Sequence, residues 1–337
     1  MTHIQKAKNA KYTSPEAVAE LQDSLSKVVD DELIFDLRQS EFFSIMLDES
    51  TDRSTEKTLM LYVCYLKQGK SVTRFLSVVE LLGGTAEVIF ESVKAIFALY
   101  KVPFDKCISI ATDGASVMTG IRSGVTTRFS EQNPFIIKSH CIAHRLALAA
   151  SQATNSVNYL KKYQGTINEI YKYYHYSCKH MSELKAMALI FDKAQKKFEE
   201  VFGTRWLSFE GAVGALLQNF DILVGCLLSD EKGGNIVACG LVKFVSTFEF
   251  LVVSHFVSDV MGIVCRVSRV FQREDLTFTV VKEALGPACS AILDMKSSAG
   301  PMLQSFLDKV PSDVEESGQF LFNGNLIKYS PALIVLG

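Results

Sequence analysis

The sequence predicts an α/β chain in which a mixed five-stranded sheet is followed by a long all-helical region. Three observations predict it. Apolar segments of strand length cluster before residue 140, two of them ending on an aspartate. Segments with helical spacing separate the later strands, so these return through crossovers. After about residue 150 strand alternation disappears, and 157–200, 208–229, 236–272 and 278–308 read as long helices.

The elements follow in order. Residues 1–40 are polar with helical spacing; Leu21, Leu25, Val28 and Val29 share one face, as do Leu33 and Leu37 further on. Three strands follow, Phe42–Leu47, Leu59–Leu66 and Val72–Leu82, the last two joined as a hairpin through Gln68-Gly69-Lys70-Ser71. Gly83-Gly84 breaks the chain, and Thr85 caps a helix over Ala86–Tyr100 with Val88, Ile89, Val93, Ile96 and Phe97 on its apolar face. Pro103 ends that helix. A fourth strand runs from Cys107 to Ala111, a short helix spans about Ile121–Glu131, and a fifth apolar segment starts at Phe135-Ile136-Ile137. The resulting organisation is an N-terminal helical segment (1–40), a sheet domain (41–152), a helical domain (153–310) and an irregular tail (311–337).

Composition bounds the function. The chain has 337 residues, 48% of them hydrophobic and 21% charged, enough to bury a sizeable core. A net charge of −2 gives no global attraction to nucleic acid, so any DNA contact must come from a local basic patch or from screening cations. The eight cysteines are scattered without a CxxC pair and read as reduced thiols of an intracellular protein. The polar N-terminus carries no secretory signal. The most apolar stretch, Ile236 to Val267, contains Lys243, Glu249, His255 and Asp259, so it reads as a buried helix, and no membrane partner is expected.

Four constellations carry candidate chemistry. The first strand delivers Asp48 in LDESTD, with Glu49 and Asp52 as solvated neighbours, and the fourth delivers Asp113 in ATDGASVM. A carboxylate at the end of a buried strand is held rigidly and still reaches solvent, and two on adjacent strands make half of a divalent-metal site. Taken singly, each also fits a polar turn. Cys141 and His144, in HCIAH, have the C-x-x-H spacing of a zinc half-site. The nearest further candidates, His175, Cys178 and His180, are distant and irregularly spaced, so a hydrogen-bonding scaffold beside Asp113 is favoured. Trp206, the only tryptophan, follows Arg205 in TRWLS. It fits either a core anchor or, with Arg205, a pair that stacks on a base and holds a phosphate.

In this order, SIMLDESTDRSTEKTLMLYVCYL, ISIATDGASVMTGIRSGV, IIKSHCIAHRLALAA and TRWLS resemble the hAT-type DNA transposases and their domesticated, ribonuclease-H-like relatives, especially vertebrate zinc-finger-associated members. The resemblance spans about residues 42–210. It implies a sheet of order 3-2-1-4-5, in which the first and fourth strands lie parallel and bring Asp48 and Asp113 together across 65 sequence positions (113 − 48). It implies that these are the first two acids of an Asp-Asp-Glu triad holding Mg²⁺, that Cys141 and His144 are the family's C-x-x-H, that Trp206 is the insertion-domain tryptophan that contacts a flipped base, and that the protein is nuclear. The departures weigh against activity. No segment resembles the family's third-acid motif; Thr247-Phe248-Glu249-Phe250 and Arg273-Glu274-Asp275-Leu276 do not fit it. The C-terminal dimerisation region and the N-terminal BED-type finger are also expected to be missing. The expectation is a catalytically inactive protein binding DNA or protein partners, requiring no cofactor, with weak Mg²⁺ binding at most. A plain interaction scaffold and an active Mg²⁺-dependent nuclease are the alternatives.

Overall fold

Alternating apolar and polar residues build the sheet. In β1 (Phe43–Thr51) the side chains of Phe43, Ile45 and Leu47 are buried, and in β2 (Lys57–Lys67) those of Leu59, Leu61, Val63 and Tyr65 are. This is the period-2 pattern of strands with one face on a core. The computed structural model describes residues 14–51, 57–190, 196–201, 206–273 and 276–330, and forms two compact units, Met1–His144 and Arg145–Gly337.

In the first unit, α1 (Pro15–Gln39) starts at a Ser14 cap, whose Oγ accepts from the Ala17 N–H at 3.2 Å. Leu33 and Leu37 enter the core, but Leu21, Leu25, Val28 and Val29, expected to form an apolar face, stand exposed. β2 and β3 (Lys70–Leu81) turn at Gln68 and Gly69, both at positive φ (52° and 75°), the conformation of a two-residue hairpin loop. The helix α2 (Ala86–Leu99), capped by Thr85, lays Ile89, Phe90, Val93, Ile96 and Phe97 on the sheet, with Phe97 edge-on to Phe43 at 5.5 Å. β4 (Cys107–Thr112) and β5 (Ile137–His140) complete a sheet of order β3-β2-β1-β4-β5, with β1, β4 and β5 mutually parallel and β2 antiparallel to both its neighbours. This is the expected α/β architecture.

Two details differ from expectation. The short helix expected over 121–131 is α4 (Val125–Gln132), and a further short helix, α3 (Ser116–Thr119), precedes it. Gly120 and Gly124 separate them, their backbones so close that a Cβ on Gly124 would overlap Gly120. Asp48 also lies inside β1, paired with Met60, rather than beyond its end, because pairing with β2 continues to Thr51.

In the second unit the helices are α5 (Ile142–Ser156, whose first turn belongs to the first unit), α6 (Asn158–His175), α7 (Cys178–Ile190), α8 (Trp206–Gln218), α9 (Phe220–Lys232), α10 (Ile236–Val245), α11 (Phe248–Phe271), α12 (Phe278–Asp294), α13 (Pro301–Leu307) and α14 (Val314–Ser317). By length and composition α11 is apolar enough to cross a membrane. Here it packs against α8, α12 and α13, and it is where Ser254 accepts a buried hydrogen bond from the Tyr163 hydroxyl at 3.0 Å. The tail read as irregular carries a hairpin, β6 (Gln319–Phe322) and β7 (Asn325–Lys328). Asn323 and Gly324, at φ 49° and 78°, form its turn, and Phe320, Phe322 and Ile327 are buried. An Asn-Gly pair between alternating apolar residues is a strong hairpin signal, so this element was legible.

Candidate functional site

The parallel pairing of β1 with β4 runs to Met46 opposite Ala111. Two residues further on each chain are Asp48 and Asp113. Because side chains alternate, both fall on the face of Met46 and Ala111, opposite the core face of Ile45 and Ile110. β1 here keeps a neighbour only on its β2 side, so Asp48 borders the turn that begins at Asp113.

That turn is built locally. Asp113 Oδ1 accepts from the Ala115 N–H at 3.2 Å, an Asx-type turn, and Thr112 Oγ1 donates to the Asp113 carbonyl at 2.9 Å. The Cys141 N–H donates to the Thr112 carbonyl at 2.9 Å, tying the end of β5 to the end of β4. His140 lies over Gly114, where any Cβ would overlap the imidazole, and its ring centroid is 5.7 Å from that of His144 in the first turn of α5. Thus H-C-I-A-H supplies a backbone tie through Cys141 and two imidazoles on the Asp113 side. Gly114 had no assigned role in the sequence, and His140 was read only as part of HCIAH, a zinc half-site or a scaffold beside Asp113; the signal for their contact was the D-G pair, which admits a side chain against the backbone.

The electrostatics join three of these residues. The Asp48 carboxyl is held above the ordinary range, first because protein atoms crowd it even though the residue is exposed, then because of the Asp113 charge; His144 acts in the opposite sense. A raised carboxyl pKa means that ionising Asp48 works against the fold. Its stability contribution is complete below the unfolded value near 4 and is lost as pH rises through the folded value. Asp48→Asn is therefore expected to raise the thermal midpoint slightly at pH 7, by the equivalent of about 0.5 kcal/mol or less given solvent screening, and to have no effect below pH ~3.5. Melting curves at the two pH values check it.

Two oxygen donors at a common edge fit one hard divalent cation, which would relieve the like-charge contact and which, when bound, supplies Lewis-acid polarisation of a phosphoryl oxygen. Among the described residues, no third Cys, His, Asp or Glu forms with Asp48 and Asp113 a group whose ligand atoms all lie within 4.8 Å of one another. Glu49, expected to be solvated, is instead paired with Lys57 at 2.6 Å, on the other face of β1 from Asp48. Glu249 belongs to the helical unit, where burial raises its pKa and Lys162 opposes the shift. Glu274, Asp275, Asp52 and Arg205 lie outside the described residues. Trp206 opens α8; its side chain is likewise outside the description. Cys141 and Cys178 are exposed free thiols, and His175 and His180 stack on Tyr171 and Tyr173.

Residues 1–124 match a family model, DUF4371, described as ZMYM1/FAM200, RNase-like domain. The matched stretch contains β1 to β4, and with them Asp48 and Asp113. The RNase-like unit thus has support from both topology and family, and the match fits a transposase-derived domain. It stops before β5, HCIAH and the helical unit.

Proposed function

We propose that the chain is a domesticated relative of the hAT-type transposases that binds DNA in the nucleus without cutting it. The observation that carries the reading is the convergence of Asp48 and Asp113 on one face of an RNase-like sheet. Polynucleotidyl transfer in this fold needs two clamped cations to stabilise the attacking and leaving oxygens. Two carboxylates hold one Mg²⁺ weakly, because that ion keeps most of its waters. Among the described residues no third acid completes a ligand group with these two, and a site short of one ligand typically loses several kcal/mol of transition-state stabilisation, on the order of a thousandfold in rate. Arg205 and Trp206 are the proposed DNA contacts, the guanidinium on a phosphate and the indole on a base.

The test measures cleavage and binding together. The purified chain is expected to show no Mg²⁺- or Mn²⁺-dependent cleavage of duplex or single-stranded DNA. It is expected to bind DNA with an affinity that falls as salt rises, Arg205→Ala lowering the log–log salt slope by about 1. Metal-dependent cutting abolished by Asp113→Ala would overturn the inactive assignment. Absence of binding at low salt would favour a protein-interaction scaffold, the second reading, for which the net charge of −2 and the exposed Phe75, Val78 and Ile137 speak.

A further inference from the structure

The helical unit contains a second, independent cluster of ligating groups. His180 and Glu183 sit one turn apart on α7, and Asp230 faces them from α9. One ligand atom from each lies within 4.8 Å of the other two, a grouping that no other described residues make. Tetrahedral zinc with N and O ligands holds its donors about 3.4 Å apart, so a small side-chain adjustment closes the site. We propose that His180, Glu183 and Asp230 bind a divalent transition-metal cation, with Zn²⁺ as the best chemical fit.

What distinguishes the cluster from a chance meeting of surface charges is the support behind it. His180 Nδ1 is 3.1 Å from the Tyr173 carbonyl oxygen. A carbonyl only accepts, so Nδ1 carries the proton and Nε2 keeps its lone pair for a metal. The Tyr173 ring stacks on the imidazole at 4.0 Å, with planes 5° apart. The hydroxyl of the same tyrosine donates to Asp230 Oδ2 at 2.6 Å and accepts from Asn235 Nδ2 at 3.0 Å. One residue thus orients two of the three ligands, the arrangement by which outer groups set the tautomer and direction of metal-bound imidazole and carboxylate.

Charge and donor type select the ion. Lys179 Nζ is 3.8 Å from Glu183 and 77% exposed, an ion pair of little weight. Glu183 and Asp230 bring two carboxylates to the cluster, a charge that suits a dication. An imidazole among the donors favours zinc over magnesium or calcium. The remaining positions are open to water. A bound ion would clamp α7 to α9, so its effect is expected in the stability of the helical unit.

The full chain, stripped with a chelator, is titrated with Zn²⁺ by calorimetry and followed by thermal unfolding. One equivalent is expected to bind saturably and, at a large excess over Kd, to raise the melting midpoint by about 5 °C. Glu183→Gln, at a half-exposed position that does not threaten folding, is expected to weaken binding at least about tenfold, and His180→Ala to abolish it. Cys178→Ser, which removes an exposed thiol on the same helix, and Asp113→Ala, in the other unit, are expected to leave it unchanged. Co²⁺ in place of Zn²⁺ is expected to show no thiolate charge-transfer band. Absence of saturable binding, indifference to Glu183→Gln, or loss in Cys178→Ser overturns the proposal.

Discussion

Asn219→Ala is expected to destabilise the helical unit by about 3 kcal/mol, read as a lower urea midpoint of its unfolding transition. Asn219 is fully buried between α8 and α9. Its Oδ1 accepts from the Lys196 N–H at 3.2 Å, and its Nδ2 donates to the Lys196 carbonyl at 2.6 Å. Asn168 does the same at the other end of the segment, accepting from the Val201 N–H at 2.8 Å and donating to the Val201 carbonyl at 3.3 Å. Two amides therefore stand in for a neighbouring strand along 196–201, a stretch with no secondary structure of its own. Alanine at 219 takes the amide partner from the N–H and carbonyl of the half-buried Lys196, at about 1–3 kcal/mol for each where water does not replace it, and leaves a small cavity. Asn219→Asp is expected to be nearly as damaging, since it loses the donor and buries a charge. A change under about 0.5 kcal/mol, the range of exposed substitutions, would show that the clamp carries no weight.

The second large effect is expected at Asp259, a buried carboxylate in the middle of α11. Its two oxygens accept from the Met302 and Leu303 N–H groups, each at 2.9 Å. These are unpaired donors in the first turn of α13, whose N-cap, Gly300, offers no side chain. Asp259 thus caps a helix remote in sequence, with a charge that the positive end of the helix favours. Asp259→Ala is expected to cost about 3 kcal/mol, and Asp259→Asn about 1–2 kcal/mol, because the amide retains one acceptor. Gly300→Ala is expected to destabilise as well, since its methyl would overlap the carboxylate. The double substitution Asp259→Ala/Gly300→Ala is expected to cost less than the sum of the two, because both act on one contact. Strict additivity in denaturation measurements would break that link.

The secondary-structure pattern of the sheet was legible because period-2 burial writes itself into the residues. Phe43, Ile45, Leu47 and Leu59, Leu61, Val63 alternate as a half-buried sheet requires. Thr85 announced α2 by its capping chemistry. The apolar face of α1 misled, because helical spacing states which residues share a face and not whether anything covers it; Leu21 and Leu25 are exposed. The Asn323-Gly324 hairpin was overlooked although its turn residues are the strongest of their kind.

The candidate sites divide the same way. Local pattern and ordered motifs were enough to select Asp48 and Asp113, since a polar acid closing an apolar run is a one-dimensional signal. The neighbours of each side chain are three-dimensional facts. Only folding could seat His140 against Gly114, commit Glu49 to Lys57 and gather His180, Glu183 and Asp230 from two helices around Tyr173. The chain by itself determined periodicity, caps and turns, which depend on residues within a few positions of one another. Tertiary structure alone decided which charges meet, because electrostatic and hydrogen-bond partners are chosen by distance in space, and sequence separation carries no record of it.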